Sequence, residues 1–422
     1  MFVAMSREKY KNEVFGFMYQ ADTAENVAKI EKWIFYFLCS YALLSSATIA
    51  GGNIFLGLAT AAAIFRLVKK HDDWKQLLTV DWALRVPFYI FLAILVATSL
   101  FSTDIKQSVD TLLNHYVNRI MPFLLVLMFV REKERLIKLT VLAALSIVVN
   151  DATCIVQWNI IGGKYLAQER TPGLIGIMMT GGMNSMWVPV LVLLFAELKK
   201  RNKYIVGAAL LIAVMGTIYN NTRGAWLAIV ITVSITLLLY TKSKLKVLVI
   251  LLIVGVGIGL MTQHVPWLEH RVVSMTKFNS GGSNLERLLL WESSRNMAAD
   301  YPLTGVGYGC FTKQYQEKYV LPEAIYPNLT HAHSNFFHTL AENGYPGAVA
   351  VCIWWLGTLW YCVKGWHKYK KIGYIIFMAI FLGLMLQGVT EYTMGDSIVM
   401  KLFWFGLGVS YQWTKLNEKC AH

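Results

Sequence analysis

Residues 173–196 read GLIGIMMTGGMNSMWVPVLVLLFA, a run of 24 residues without a charged side chain. Lys199, Lys200 and Arg201 follow the run almost directly. A bilayer core of about 30 Å is crossed by a helix of roughly 20 apolar residues. The run therefore predicts a membrane-spanning helix whose C-terminal end is anchored by basic side chains.

Similar apolar runs recur along nearly the whole chain and indicate an all-α polytopic membrane protein. Of the 422 residues, 56% are hydrophobic and only 15% are charged, which is too apolar for a soluble globule of this size. We predict about twelve transmembrane helices, near residues 33–50, 52–68, 84–101, 117–130, 139–158, 173–196, 204–219, 224–240, 245–262, 346–363, 373–390 and 397–413.

The basic residues lie in short clusters between these predicted spans. With twelve spans all the clusters fall on one side, which the positive-inside rule makes cytoplasmic. They are Arg66/Lys69/Lys70, Arg131/Lys133/Arg135, Lys199/Lys200/Arg201, Lys242/Lys244/Lys246 and Lys364/Lys368/Lys370/Lys371. Because orientation explains the formal net charge of +14, we expect membrane lipids and no nucleic acid as partners. The six cysteines form no C-x-x-C pair, so no disulfide framework is expected.

The predicted spans divide the chain into five parts. Residues 1–32 form a cytoplasmic N-terminal segment, 33–262 carry helices 1–9, 346–414 carry helices 10–12, and 415–422 form a cytoplasmic tail. The remaining part, residues 263–345, is a loop on the other side of the membrane. It is far longer than an ordinary connection and contains helical patterns, so we expect a folded helical cap.

Few basic residues lie on the side of the large loop, so those few are informative. Arg170 precedes one span, Arg223 lies at the mouth between two spans, and Arg287 and Arg295 lie on one helical face of the loop. An arginine at the hydrocarbon edge is costly unless it is paired or faces a wet cavity, and a snorkelling side chain is the plain alternative. Because a guanidinium stays protonated and binds phosphate in parallel hydrogen bonds, convergent arginines would favour a phosphate-rich ligand.

Three histidines follow in the segment His331-Ala-His333-Ser-Asn335-Phe-Phe-His338. We expect His333, Phe337 and Leu340 to share one face of a helix. A histidine can accept a proton near neutral pH, which suits the activation of a hydroxyl nucleophile. The H-x-H spacing could hold a metal, but no companion cysteine or carboxylate pattern accompanies it, so no metal is expected. A purely structural histidine cluster is the other alternative.

Three short motifs occur in a fixed order within this plan of apolar runs. They are Thr222-Arg223-Gly-Ala-Trp226, then Pro302-Leu-Thr-Gly305-Val-Gly307-Tyr-Gly309-Cys-Phe311, then His333-Ser followed by Glu342-Asn-Gly344-Tyr-Pro-Gly347. In this order they resemble the bacterial O-antigen ligase and O-antigen polymerase superfamily. One departure is Ser334, because asparagine commonly follows the histidine in that family.

The resemblance implies a GT-C type membrane fold with a large periplasmic loop and a polyprenyl-diphosphate-linked glycan as donor, without metal or nucleotide cofactor. It implies that Arg223 and Arg287, with Arg170, hold the donor diphosphate and that His333 serves the acceptor hydroxyl. Possible supporting residues are Arg295, Ser334, Asn335, His331, His338 and Tyr308.

By this resemblance the chain would be a lipopolysaccharide O-antigen ligase of the bacterial inner membrane, with its active site facing the periplasm. It would move a glycan from undecaprenyl diphosphate to a sugar hydroxyl of lipid A–core oligosaccharide. An O-antigen polymerase or a protein O-oligosaccharyltransferase of the same superfamily stays open as an alternative. A transporter is less favoured, because the middle of each predicted span carries almost no charge.

Overall fold

The computed structural model describes residues 24–69, 75, 77, 79–162, 170–265, 268–269, 271–273 and 282–416, and it contains no strand among them. The helices are α1 (Ala24–Leu44), α2 (Ile49–Lys69), α3 (Trp82–Leu100), α4 (Ile105–Phe129), α5 (Lys133–Ile161), α6 (Ile177–Glu197), α7 (Lys200–Asn220), α8 (Arg223–Tyr240), α9 (Lys244–His264), α10 (Ser283–Asp300), α11 (Phe311–Gln314), α12 (Asn335–Tyr369), α13 (Ile372–Gln387) and α14 (Ser397–Lys415).

Eight of the described helices are long and apolar enough to cross a membrane: α2 to α8 and α12. The chain is therefore an all-helical, multi-pass membrane protein, as its composition predicted. Each of the twelve predicted spans falls on a described helix, whereas the count of twelve spans stays a prediction.

The largest differences from the predicted boundaries are at the first, fourth and tenth spans. The tenth was placed at 346–363, but α12 begins at Asn335, inside the predicted loop, and is kinked at Gly344. The fourth span was placed at 117–130, but α4 begins at Ile105. Asp104 caps this start by accepting a hydrogen bond of 3.0 Å from the Gln107 backbone, and the polar first half of α4 conceals it from a search for apolar runs. Helix α1 likewise begins at Ala24, inside the predicted N-terminal segment, of which residues 1–23 lie outside the described residues.

The centre of the bundle is formed by α6, α13 and α14. Helix α13 packs against α6, α8 and α14, and nearly all of its side chains are buried. A Cβ atom added at Gly383 would lie 2.1 Å from the Ser185 backbone oxygen. Small residues let two helix backbones approach closely where water supplies no driving force for association. Gly383 therefore sets the distance between α13 and α6.

Charged side chains do occur inside the predicted spans, which corrects the expectation that these positions are almost charge-free. Asp151 of α5 is fully buried and accepts a hydrogen bond of 2.8 Å from Asn184. Arg119 of α4 is also buried and donates to the backbone oxygens of Met394 and Gly395 at 2.6 and 2.9 Å. Such groups persist in a membrane protein because each has polar partners inside the bundle.

The glycine-rich turn 305–309 attaches the cap to the bundle. The backbone N–H of Val306 and of Gly307 donate to the oxygens of Ala341 and Glu342 at 2.9 and 3.0 Å. The Glu342 carboxylate accepts a further bond of 2.8 Å from the Gly309 backbone. The motif thus serves as a docking turn.

Gly305→Ala is expected to destabilise the fold strongly. Gly305 has a φ of 63°, and an added Cβ atom would lie 2.3 Å from the Glu342 carbonyl carbon. Backbone strain of this kind costs on the order of 1–3 kcal/mol before the clash is counted. We expect a clear drop in the temperature at which the detergent-purified protein aggregates. Gly257→Ala is the control, because nothing lies within 4 Å of its added Cβ atom; equal behaviour of the two variants would contradict the docking role.

Candidate functional site

Four arginines gather where α7 ends and where α8 and α10 begin. Arg170 precedes α6, Arg223 is the first residue of α8, Arg271 lies in the short helical turn 271–273, and Arg287 is in the first turns of α10. Burial, and then the guanidinium groups of the other three arginines, lower the pKa of Arg170 to about 10. Since charges act on one another in this way only at short range, the four side chains form one cationic cluster.

Each of these guanidinium groups is held by the protein. Arg170 donates to Thr222 Oγ1 at 2.7 Å, and Arg223 donates to Ser283 Oγ at 2.7 Å and to Asn284 Oδ1 at 3.0 Å. The Nε atom of Arg170 is buried without a hydrogen-bond partner among the described residues. An N–H group in this position is a donor that a bound anion could satisfy.

Arg271 is the member of the cluster that the sequence reasoning missed. It donates to the Asn221 backbone oxygen at 2.7 Å, directly beside the turn that carries Arg223. It lies in the predicted outer loop 263–345. Arg170, Arg223 and Arg287 were selected because basic residues are few on this side of the membrane, and the same criterion would also have selected Arg271. No motif of the chain draws attention to it.

Glu391 joins the histidines to the arginine cluster. Its Oε1 atom lies 2.9 Å from His333 Nδ1 and 3.2 Å from His331 Nε2, and its Oε2 atom lies 4.0 Å from Arg287 Nη2. Arg287 is also tied to the preceding residue, because its Nε donates to the Thr390 backbone oxygen at 2.9 Å. The structure thus brings Arg287 and His333 to one carboxylate and places Arg223 in the adjoining cluster.

The Glu391 carboxylate stays ionised although it is buried. Burial pushes its pKa upward, but hydrogen bonds from His331 and His333 outweigh this and hold the pKa below its ordinary value. A carboxylate can only accept, so the Nδ1 atom of His333 must be the protonated ring nitrogen. The Nε2 atom of His333 is then left with the lone pair that a general base requires.

His333 is not on a helix, which corrects the expected helical face with Phe337 and Leu340. Its backbone has a φ of 46°, and α12 begins two residues later at Asn335. The hydroxyl of Ser334 caps this helix and accepts from the Phe337 backbone. The sharp turn before the cap directs the His333 ring at Glu391 instead of along α12.

The comparison with known families concerns the segment that holds most of this geometry. Residues 208–352 match the family model described as O-antigen ligase. This segment belongs to the O-antigen ligase superfamily. The predicted resemblance is thereby confirmed, over about a third of the chain. The matched segment includes Arg223, Arg287 and His333 but not Arg170 or Glu391, and no curated protein matches the chain.

Within this O-antigen ligase segment, Asn335 fixes the backbone around Glu391. Its side chain donates to Thr393 Oγ1 at 2.9 Å and accepts from the Met394 backbone at 2.9 Å. Its own backbone N–H donates to the Gly388 oxygen at 2.7 Å. The start of α12 and the segment that carries Glu391 therefore move as one unit.

The other predicted supporting residues lie farther from His333. His338 is buried, 3.2 Å from Glu342, and its ring stacks on Tyr392 at 3.6 Å. Tyr308 is buried and lies 2.9 Å from His115 Nδ1. Arg295 is exposed on α10. His338 and Tyr308 thus belong to the packed layer beneath the site.

Sequence reasoning left the role of Glu391 open and saw no carboxylate near the H-x-H pair. The fold supplies one: the ligand atoms of His331, His333 and Glu391 lie within 4.8 Å of one another, close enough to hold a metal ion. The lack of a companion carboxylate was the reason for expecting no metal, and this reason no longer holds. The hydrogen bonds described above already satisfy these ligand atoms without a metal ion. The four neighbouring guanidinium groups would also repel a metal cation.

Proposed function

We propose that the chain is a lipopolysaccharide O-antigen ligase. It would transfer a glycan from undecaprenyl diphosphate to a sugar hydroxyl of lipid A–core oligosaccharide, without a metal or nucleotide. The observation that carries the proposal is the position of Glu391, which contacts a possible general base on one side and the arginine cluster on the other. Glycosyl transfer from a diphosphate needs both of these elements next to each other.

In this proposal the arginine cluster binds the donor diphosphate. Arg170, Arg223, Arg271 and Arg287 supply positive charge, and the Glu391 carboxylate acts on Arg170 and Arg287. Burial lowers the pKa of Arg287, while Glu391 partly offsets that shift. Both arginines nevertheless stay cationic near neutral pH. Fixed cations facing a departing diphosphate stabilise the charge that develops in the transition state.

His333 would act on the acceptor. Its Nε2 atom takes the proton of the acceptor hydroxyl while the hydroxyl oxygen forms a bond to the anomeric carbon of the donor. The bond between that carbon and the diphosphate oxygen breaks, and undecaprenyl diphosphate leaves with the electron pair. Glu391 is a positioning residue in this scheme, because it fixes the tautomer and the orientation of His333.

The finer features of the fold and location belong to the same proposal. We place the chain in the bacterial inner membrane with twelve spans and a GT-C type architecture. The site lies where α6 and α8 begin, whereas the clusters Lys199–Arg201 and Lys242–Lys246 follow their other ends. By the positive-inside rule the site would then face the periplasm, capped by residues 263–345.

The direct test is transfer by the purified protein. Undecaprenyl-diphosphate-linked glycan and lipid A–core are expected to give lipopolysaccharide without a membrane gradient, and dialysis against EDTA is expected to leave the rate unchanged. A loss on EDTA treatment that Zn²⁺ or Mn²⁺ restores would contradict the metal-independent reaction. Movement of glycan lipid across a bilayer without transfer would support a transporter instead.

A deletion strain separates the ligase from the related polymerase. Without a ligase, polymerised glycan is expected to accumulate on the lipid carrier, and the core remains unmodified. Without a polymerase, single repeat units would appear on the core. The second pattern would overturn the ligase assignment while leaving the superfamily chemistry in place.

A further inference from the structure

A cavity of about 360 Å³ opens beside Glu391. Met178, which also lines it, lies with its sulfur 3.6 Å from Arg170 Nη2, so the arginine cluster adjoins this wall of the cavity. The polar lining of the cavity consists of Thr330, His331, His333, Glu391, Thr393 and Asp396. This volume is at the lower end of the range for ligand pockets, roughly 300–1,000 Å³. The cavity thus has room for a short saccharide next to the ring of His333.

Asp396 gives the cavity a charge opposite to that of the arginine cluster. Its Oδ1 atom caps α14 and accepts from the backbone of Ile398 and Val399 at 2.9 and 3.0 Å. No hydrogen bond to its Oδ2 atom occurs within the part of the chain that the structure describes, and that atom is not enclosed by protein. One carboxylate oxygen is therefore available to a ligand in the cavity.

The groups around Asp396 do not form an anion-binding site at this end of the cavity. The N-terminus of α14 would attract a phosphate, but the Asp396 carboxylate already occupies it. Arg119 lies behind the wall and directs its guanidinium at the carbonyl groups of Met394 and Gly395. Burial raises the pKa of Asp396, while the two backbone N–H groups and Arg119 oppose that rise. The groups that line the cavity are thus two carboxylates, neutral hydroxyls and imidazoles.

We infer that this cavity is the subsite for the acceptor sugar and that Asp396 makes it selective for an unphosphorylated sugar. Asp396 Oδ2 accepts hydrogen bonds from sugar hydroxyl or ammonium groups, which places one hydroxyl at His333 Nε2. A phosphate group on the same sugar would face Glu391 and Asp396 and be repelled. The arginines would then bind the diphosphate donor, and the part of the cavity lined by Glu391 and Asp396 would bind an uncharged or cationic acceptor. This inference rests on the proposed transferase function.

The test compares the wild-type protein with Asp396→Asn, because asparagine also caps helices well and should preserve the fold. The acceptors are a core-type oligosaccharide ending in a neutral hexose and the same molecule with a phosphate on that hexose. Losing a hydrogen bond to a charged group weakens binding by about tenfold or more. We expect Asp396→Asn to raise KM for the neutral acceptor about tenfold and to leave KM for the donor unchanged. The preference for the neutral acceptor over the phosphorylated acceptor should become smaller. Asp300→Asn, an exposed carboxylate of the cap paired with Lys318, is the matched control.

Binding of the radiolabelled neutral acceptor in the absence of donor separates this inference from the transfer reaction. Asp396→Asn could transfer glycan with an unchanged KM for the acceptor and an unchanged preference for the neutral acceptor. That result would overturn the assignment of the cavity as acceptor subsite and leave the proposed function intact. Acceptor binding that depends on Asp396 without any transfer would support the subsite and overturn the proposed reaction. Failure to bind the neutral acceptor at millimolar concentration would overturn the subsite.

Discussion

Replacing Arg223 with alanine is expected to lower kcat for glycan transfer by about 10²-fold or more, at least as much as replacing His333. Removing one preorganised donor to a developing charge typically has an effect of this size, whereas a general base contributes about 10²–10⁴-fold. Arg223 also links α8 to the start of α10 through Ser283 and Asn284. Its loss would therefore disturb the neighbouring Arg287 in addition to removing one positive charge.

The measurement is single-turnover transfer with saturating donor, in protein whose folded amount is confirmed by its aggregation temperature. Arg223→Lys should recover part of the rate, because it restores charge but not the planar, two-bond geometry. Arg295→Ala is the comparison for loss of an exposed arginine from α10, and we expect near-wild-type transfer from it. Near-normal glycan attachment by a well-expressed Arg223→Ala variant would contradict the assignment of the cluster to the diphosphate.

His333→Ala is expected to reduce kcat by about 10²–10⁴-fold, the range of a general base. The rates of the wild type and of the variant are to be compared across the neutral pH range, because loss of the general base should change how the rate depends on pH. The lowered pKa of Glu391 keeps its carboxylate ionised throughout that range. A change in the pH dependence of the His333→Ala variant would therefore not come from protonation of Glu391.

Glu391→Gln separates a positioning effect from a general loss of structure. Glutamine has nearly the same shape but can donate to His333 Nδ1, which allows the wrong tautomer. We expect kcat to fall about tenfold or more, with a shifted pH profile and little change in donor KM. A His333→Ala variant that retains the wild-type pH profile would show that another group accepts the proton.

The apolar runs and the basic clusters by themselves were enough to predict an all-helical, multi-pass membrane protein. This worked because a bilayer forces every backbone polar group to be satisfied within its own segment, so hydropathy alone reveals most helices. The method failed at Ile105–Tyr116, where the first half of α4 is polar and is held in place by its cap and by the loop motifs.

The order of short motifs was enough to predict the superfamily and to select Arg223 and His333 as candidates, whereas Arg287 was selected because few basic residues lie on the side of the large loop. These residues are recognisable because each motif is local: a turn, a docking loop and a helix start. The three glycines at 305, 307 and 309 illustrate this, since all have positive φ angles. Gly305 closely approaches Glu342 of α12, while Gly307 and Gly309 closely approach Ser102 and Thr111.

The partners of those residues were decided only by the tertiary structure. Glu391 is 58 positions from His333, and Arg271 is 50 positions from the Asn221 carbonyl that it contacts. Neither contact leaves a periodic or local signal in the chain. The Glu391 contact arises because α13 packs against α6 and α14, which brings the segment after Gln387 over the start of α12. The sequence thus determined the membrane fold and the reactive side chains, through local physics. Long-range packing determined which carboxylate orients the histidine and which charged groups lie next to that carboxylate.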